Sequence, residues 1–177
     1  IFVEPFIRMP RRVGKFMRRD QLRVTFDTQF RAVMQACAEA HRHEGQWIGP
    51  QFVEAYSALH TRGFAHSVEV WREEDLVGGL YGVHVGGYFA GESMFHRHSN
   101  ASKVAFAHLV LQMRKAGIVL LDAQVINPNT ARLGAVVVSR QDFLDLLHRA
   151  LAMPIDPGQW AAAPTFDLSE PGASQRD

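Results

Sequence analysis

An acid and an amide lie close together at the end of the most apolar run in the sequence. Residues 118–121 are all aliphatic, and Asp122 and Gln124 follow them. In an extended segment, residues two apart point to the same face, so we expect these side chains to lie together. A carboxylate can hold or deprotonate an amine, and an amide can orient a carbonyl oxygen. The pair suits attack of an amine on an acyl group; the alternative is a polar pair that only caps a loop.

A second acidic residue, Glu92, is surrounded by small and apolar residues. Residues 89–95 read FAGESMF and come directly after a predicted strand. Because carboxylates are rarely buried without a partner, this position needs an explanation. Glu92 is either a residue of a functional site or the acceptor of a structural hydrogen bond from a neighbouring loop. The motif alone leaves both interpretations open.

Metal and nucleotide sites find little support in the sequence. The single Cys37 excludes an internal disulfide framework and a cysteine-based zinc site. His-x-His pairs occur at 41–43 and 96–98, but without cysteines or a clustered acid we predict no metal site. The glycine pairs at 78–79 and 86–87 match neither a phosphate-binding loop nor a dinucleotide fingerprint.

Basic side chains are concentrated near the start of the chain. Residues 8–23 contain seven basic residues and one acidic residue, a net charge of +6, whereas the rest holds 12 basic and 17 acidic residues. This asymmetry suits a polyanion such as nucleic acid; the alternative is a solvated helix with a basic outer side. No apolar run approaches the roughly 20 residues of a membrane helix, and residues 1–12 have no signal-peptide architecture. We therefore expect a cytoplasmic protein without a membrane partner.

Helical periodicity indicates five helices. Apolar residues recur at helical spacing in each, and capping residues or prolines mark the starts. Asp27 is the predicted N-cap of the second helix and Asn100 of the fourth, and Ser139 with Asp142 forms a capping box for the last. The predicted helices cover about residues 11–19, 28–41, 50–62, 101–116 and 140–151.

Strand patterns predict a meander followed by two further strands. Residues 67–71, 76–83 and 85–90 alternate or are separated by polar turns, as in an antiparallel meander. Residues 118–121 have the composition of a strand buried on both faces, and 135–138 are predicted as another strand. The order of elements fits an α+β fold, with a mixed sheet covered by helices as in the acetyl-CoA-dependent N-acetyltransferases.

Taken together, these segments resemble the leucyl/phenylalanyl-tRNA–protein transferase family. The resemblance runs from about Met9 to Met153. Its most specific stretches are QWI (46–48), HSVEVWREEDLVGGLYGV (66–83), FAGESMFHRHSNASK (89–103), LDAQVINPNTARLGA (121–135) and SRQDFL (139–144).

The resemblance implies a cytoplasmic bacterial enzyme that takes Leu or Phe, and less readily Met, from the charged tRNA. The acceptor would be a protein with an N-terminal Lys or Arg, and the product would be marked for degradation. Because the aminoacyl ester is already activated, no ATP, acyl-CoA or metal would be needed, so we expect no cofactor. We expect the protein to act as a monomer.

The resemblance also implies roles for individual residues. Asp122 would hold or deprotonate the attacking α-amine, Gln124 would orient the amine or the ester carbonyl, and Glu92 would lie at the aminoacyl-adenosine site. An apolar pocket would take the Leu or Phe side chain, with walls formed by Trp47, Leu80, Phe89, Gly91, Met94, Leu109 and Leu121. The tRNA acceptor stem would be held through its phosphates by Arg11, Arg12, Lys15, Arg18 and Arg19.

Family members usually carry a further N-terminal region, and this chain begins after it. We therefore interpret residues 1–25 as a basic segment left from that region and residues 26–160 as the catalytic domain. Residues 161–177 are expected to form a disordered tail.

Two other functions fit parts of the pattern. An acyl-CoA-dependent N-acyltransferase would share the fold, but such enzymes usually have a glycine-rich turn before a helix, where this chain reads HRHSNASK over residues 96–103. An inactive tRNA-binding module would keep the basic segment and would have lost transfer.

Overall fold

The computed structural model describes residues 1–3, 7, 12–42, 48–155, 158 and 160. Within them a six-stranded mixed sheet has the order β1-β6-β5-β4-β3-β2. The pair β5 and β6 is parallel and every other neighbouring pair is antiparallel. The strands are β1 (Phe2–Val3), β2 (Leu22–Phe26), β3 (Ala65–Arg72), β4 (Asp75–Val85), β5 (Tyr88–His96) and β6 (Leu120–Asp122).

Six helices lie in the described residues, and they cover both faces of the sheet. They are α1 (Val13–Asp20), α2 (Phe30–Ala40), α3 (Pro50–Thr61), α4 (Ala101–Ala116), α5 (Pro128–Arg132) and α6 (Arg140–Leu151). Neighbouring residues of β4 show the two faces, because Leu80 packs in a core cluster with α1 and α4 while Tyr81 packs in one with α2 and α3. The predicted α+β fold with a mixed sheet between helices is confirmed.

The central helix α4 is buried around most of its circumference. Eleven of its 16 residues are buried, which marks it as a core helix rather than a surface helix. It ends at Gly117, which adopts the left-handed conformation (φ 77°) and directs the chain into β6. None of the described helices combines the length and hydropathy that crossing a bilayer requires.

The predicted meander is confirmed as β3, β4 and β5, but the strand predicted at residues 135–138 is not formed. Val136 exchanges two backbone hydrogen bonds with Ile1, and the side chain of Val137 is 75% exposed. Because β6 already has β5 on one side and β1 on the other, this segment meets the sheet only at Ile1, beside the short edge strand β1, and one residue pair does not make a strand. The short helix α5 is not among the five helices predicted from the sequence.

The predicted N-cap role of Asp27 is wrong, because helix α2 begins only at Phe30. The Asp27 carboxylate instead accepts hydrogen bonds from the backbone N–H of Ser67 and from the His66 ring, both at 2.8 Å. These bonds join the turn before α2 to strand β3. The predicted division of the chain at residue 25 stays a prediction, and the predicted tail at 161–177 lies outside the described residues.

Candidate active site

Asp122 is the last residue of β6, and donors from two different directions hold its carboxylate. The backbone N–H of Gln124 donates to Oδ1 at 2.7 Å, and the Tyr88 hydroxyl donates to Oδ2 at 3.2 Å. The parallel register places Tyr88 opposite Leu120 and Ala90 opposite Asp122. Asp122 comes two positions after Leu120, the pairing partner of Tyr88, so the side chains of Tyr88 and Asp122 lie on one face of the sheet.

The path from Asp122 to Gln124 is a turn and not the predicted extended segment. Gln124 adopts a left-handed conformation (φ 59°), which the hydrogen bond from its N–H to the Asp122 carboxylate stabilises. The Gln124 side chain then donates to Oε2 of Glu92 at 3.3 Å. The acid and the amide are therefore close, but a turn brings them together rather than strand alternation.

Glu92 lies inside β5, which extends to His96, and not after a strand as predicted. The antiparallel register pairs Tyr81 with Ser93 and then Gly82 with Gly91, so Glu92 is the extra residue of a β-bulge. A bulge re-aims the side chain it inserts, here towards Gln124 of the neighbouring strand end. The backbone approach is close, since a Cβ on Gly82 would lie 2.2 Å from the Ala90 carbonyl oxygen.

Two tyrosines contact the acidic residues, and sequence analysis assigned neither to the site. Burial raises the pKa of Tyr56 to about 12, with the charge of Glu92 and a hydrogen bond to Glu92 as further causes. Burial likewise raises the pKa of Tyr88, and Asp122 adds to that shift by its charge and its hydrogen bond. Both phenols therefore remain protonated donors near neutral pH. Tyr88 reaches Asp122 because β5 and β6 pair in parallel, and no local sequence pattern predicts that pairing.

A cleft of about 390 Å³ opens beside Asp122. Several of its side chains are apolar and exposed, with Val125 at 70% and Ile126 at 47%. The cleft thus combines a carboxylate with apolar walls, an arrangement that can receive an amine on an apolar stem. Its lining residues are Ile1, 122–126, 135–140 and Phe143.

The residues predicted as walls of an apolar pocket do not share one accessible surface. Leu80, Phe89, Leu109 and Leu121 are 0–3% exposed and pack in the core cluster on the α4 side of the sheet. Gly91 is half-buried, and a Cβ added there would lie 3.4 Å from the Asp122 carbonyl oxygen, while Met94 is 36% exposed. Trp47 lies outside the described residues. Among the predicted wall residues that the structure describes, none lines the cleft beside Asp122.

The predicted tRNA-binding side chains are exposed wherever the structure describes them. Arg12 precedes α1, and Lys15, Arg18 and Arg19 lie on it, whereas Arg11 falls outside the described residues. Arg19 donates two hydrogen bonds of 2.6 Å to Asp20, which offsets its charge.

The basic helix α1 and the acid–amide pair lie towards opposite ends of the strand order. Helix α1 packs against α4 and against β2. Strand β2 is the edge strand at the other end of the sheet from β1 and β6. Four strand spacings separate β2 from β6, a distance of about 19 Å. No group of three or more His, Cys, Asp and Glu side chains is placed to hold a metal ion in the described part of the chain.

Among solved structures, the chain resembles an aminoglycoside acetyltransferase from an uncultured soil metagenomic sample. The TM-score is 0.47 at 11% identity, over 77% of this chain and 90% of the other. A likeness at this level says nothing about activity.

Much closer relatives are found by sequence. The leucyl/phenylalanyl-tRNA–protein transferase of Pseudomonas fluorescens (strain Pf0-1) is 51% identical over 149 residues, which are 84% of this chain and 66% of the relative. The transferase of the same name from Chromohalobacter salexigens is 46% identical over 91% of this chain and 63% of its own length. This chain therefore spans just under two thirds of these relatives. The model of the family described as leucyl/phenylalanyl-tRNA protein transferase matches residues 1–148. With a match over most of its length and relatives at this identity, the chain belongs to the leucyl/phenylalanyl-tRNA–protein transferase family.

Proposed function

We propose that the chain transfers Leu or Phe, and less readily Met, from aminoacyl-tRNA to the N-terminal Lys or Arg of an acceptor protein. The product would be marked for degradation, and the reaction would take place in the bacterial cytoplasm. The observation that carries the proposal is the Asp122 carboxylate, which two fixed donors orient beside an open cleft. Family membership supplies the class of donor and acceptor.

The reaction that this site would catalyse is aminolysis of an ester. The acceptor α-amine attacks the ester carbonyl carbon, a C–N bond forms, and the C–O bond to the ribose oxygen breaks. One proton leaves the attacking nitrogen and one reaches the departing oxygen, so the exchange consumes no other reactant. Asp122 would accept the hydrogen bond of the amine and hold it, or deprotonate it, in the attacking position.

Gln124 and Glu92 would complete the polar part of the site. The Gln124 amide donates to Glu92, which leaves the amide oxygen to orient the amine. Glu92 would lie at the aminoacyl-adenosine end, where the bulge directs it and where Tyr56 is its neighbour.

The donor side chain would need an apolar pocket, and the described residues predicted as its walls do not line the cleft beside Asp122. We place it against Gly91, Met94 and Leu121, with Trp47 as a further wall. Leu80, Phe89 and Leu109 lie behind these residues in the core, so admitting a Leu or Phe side chain would require them to separate. Shape complementarity of this kind separates similar apolar side chains by about 1–3 kcal/mol.

The basic face would bind the acceptor stem of the tRNA by its phosphates. We assign this contact to Arg11, Arg12, Lys15, Arg18 and Arg19. The separation of about 19 Å between β2 and β6 suits a single-stranded 3′ end that extends from a stem at α1 to the ester at Asp122. Such binding should be salt-dependent and largely insensitive to base sequence. The proposed species is a monomer without a membrane partner or cofactor.

The experiment is transfer of radiolabelled leucine from Leu-tRNA to a protein with an N-terminal Arg. We expect Asp122→Asn to reduce kcat by roughly 10²–10⁴-fold, the usual contribution of a positioned acid or base. Asp75→Asn is the matched control, because Asp75 is exposed at the start of β4, on the far side of the meander. Equal transfer by Asp122→Asn and the parent would remove Asp122 from the mechanism.

The same assay separates the alternative functions. Salt-dependent tRNA binding without any transfer would support a binding module instead. Transfer of an acyl group from acyl-CoA to the same acceptor would support an acyl-CoA-dependent N-acyltransferase.

A further inference from the structure

The hydroxyl of Tyr88 is the one side-chain donor that the described residues present to the Asp122 carboxylate. It lies 3.2 Å from Oδ2, while the other oxygen accepts the backbone N–H of Gln124 at 2.7 Å. The two donors approach from different elements, one from the start of β5 and one from the turn after β6. A carboxylate held at both oxygens cannot rotate about its Cβ–Cγ bond without losing one of the bonds.

We propose that Tyr88 is a positioning residue for aminoacyl transfer, fixing the plane of the Asp122 carboxylate so that its remaining lone pairs face the attacking amine. This inference rests on the proposed function. Tyr88 itself does not touch the reacting atoms and acts through Asp122.

The backbone around Tyr88 is anchored tightly enough for this role. The Gly87 carbonyl accepts hydrogen bonds from the N–H groups of Val119 and Leu120, at 2.9 and 3.1 Å, and the Gly87 N–H donates to the Ala150 carbonyl at 2.7 Å. The start of β5 is thus tied to both β6 and the end of α6. A Cβ at residue 87 would lie 2.5 Å from the sulfur of Met153, which shows how closely the chain packs there.

The chemistry of the phenol fits a fixed donor and not a second base. Its burial and the neighbouring Asp122 charge both raise the pKa of Tyr88, so it keeps its proton across the pH range in which an amine attacks an ester. A donor that never titrates there can restrain the carboxylate without competing for the proton of the amine. Removing it would leave Oδ1 held and Oδ2 free to move.

The kinetic test is Tyr88→Phe, which deletes the hydroxyl and keeps the ring. We expect kcat to fall roughly ten- to a hundred-fold, as for small misplacements of catalytic groups, with the KM for Leu-tRNA unchanged. In the Asp122→Asn background the same change should cause no further loss, because the hydroxyl acts only through the carboxylate. Tyr81→Phe is the comparison variant, since it deletes a fully buried hydroxyl on β4, where the ring packs with α2 and α3.

A spectroscopic measurement checks the contact independently of activity. The chain has three tyrosines, so 3-fluorotyrosine gives three fluorine resonances that the Phe variants assign. Asp122→Asn should shift the Tyr88 resonance and leave the Tyr81 resonance in place. An unmoved Tyr88 resonance would contradict the hydrogen bond, and an unchanged kcat in Tyr88→Phe would contradict the positioning role. A parent that transfers nothing would contradict the proposed function, and with it the role in transfer, even if the fluorine shift shows the contact.

Discussion

Two acidic residues of this sheet, Glu69 and Asp122, both accept hydrogen bonds but have different roles. Glu69 of β3 is fully buried, and its carboxylate accepts hydrogen bonds from the hydroxyls of Ser67, Thr25 and Thr28 at 2.5–3.0 Å. Its oxygens also lie 3.5 Å from the backbone nitrogens of Thr28 and Gln29, at the start of α2. This carboxylate has little capacity left for a ligand and joins β2, β3 and α2.

Asp122 differs in burial and in the number of its partners. It is half-buried and accepts two hydrogen bonds from described residues, about half of what a carboxylate can accept. The unused capacity faces a cleft. An acid whose oxygens are saturated by its own fold is structural, whereas an acid oriented by few donors at an opening is available for chemistry.

Among the variants that test the difference between Glu69 and Asp122, Glu69→Ala is expected to have the largest effect. The variant would leave three hydroxyls without their acceptor, and we expect a loss in the free energy of unfolding on the order of 3 kcal/mol. Chemical denaturation measures it, and activity per folded molecule should be retained. A stability equal to that of the parent would show that this network is not the structural group we describe.

Gly82→Ala tests whether the β-bulge is what places Glu92 beside Gln124 in the candidate active site. The added methyl would meet the Ala90 carbonyl and the Phe89 ring, at 2.2 and 2.3 Å, so the strand must shift. We expect about 1–3 kcal/mol of destabilisation, together with reduced kcat at equal folded concentration. Gly49→Ala is the control, since a Cβ there meets nothing within 4 Å. Full activity in a destabilised Gly82→Ala would separate the bulge from catalysis.

A smaller effect is expected from Gln124→Ala. This change removes the amide that donates to Glu92 but keeps the backbone N–H that holds Asp122. We expect kcat to fall about ten-fold, with the thermal midpoint nearly unchanged, because the side chain is exposed. A wild-type kcat would mean that the amide only holds Glu92 in place. Gln141→Ala, another exposed glutamine, controls for the loss of an amide elsewhere.

The smallest effect is expected at helix α1, where an exposed cation is compared with a cation that has an acidic partner. Asp20 already offsets the charge of Arg19, whereas Lys15 is exposed on the same helix. We therefore expect Lys15→Ala to raise the KM for Leu-tRNA more than Arg19→Ala does, and to reduce the salt slope of binding by about one unit or less. Equal effects of the two variants would show that tRNA phosphates displace Asp20 from Arg19.

The helices and strands were largely predictable from the sequence, but the contacts between them were harder to predict. The bounds of α4 and the cap of α6 by Ser139 follow from local signals, because a cap depends only on residues within one turn. Asp27 is also a residue type that caps helices, yet its carboxylate accepts hydrogen bonds from His66 and Ser67. The carboxylate near the backbone at the start of α2 is that of Glu69. Those partners are about 40 residues away in sequence, so no local pattern could have shown the exchange.

The sequence alone determined the acid–amide pair, the isolated glutamate, the basic helix and the fold class, because composition and periodicity are local properties. Tertiary structure alone decided that Glu92 is a bulge residue, that Tyr88 meets Asp122, and that Leu80 and Phe89 fill the core. Strand register fixes all three, and register is set by packing across the whole sheet. A shift of one residue would turn Tyr88 to the opposite face, away from the acid that it holds.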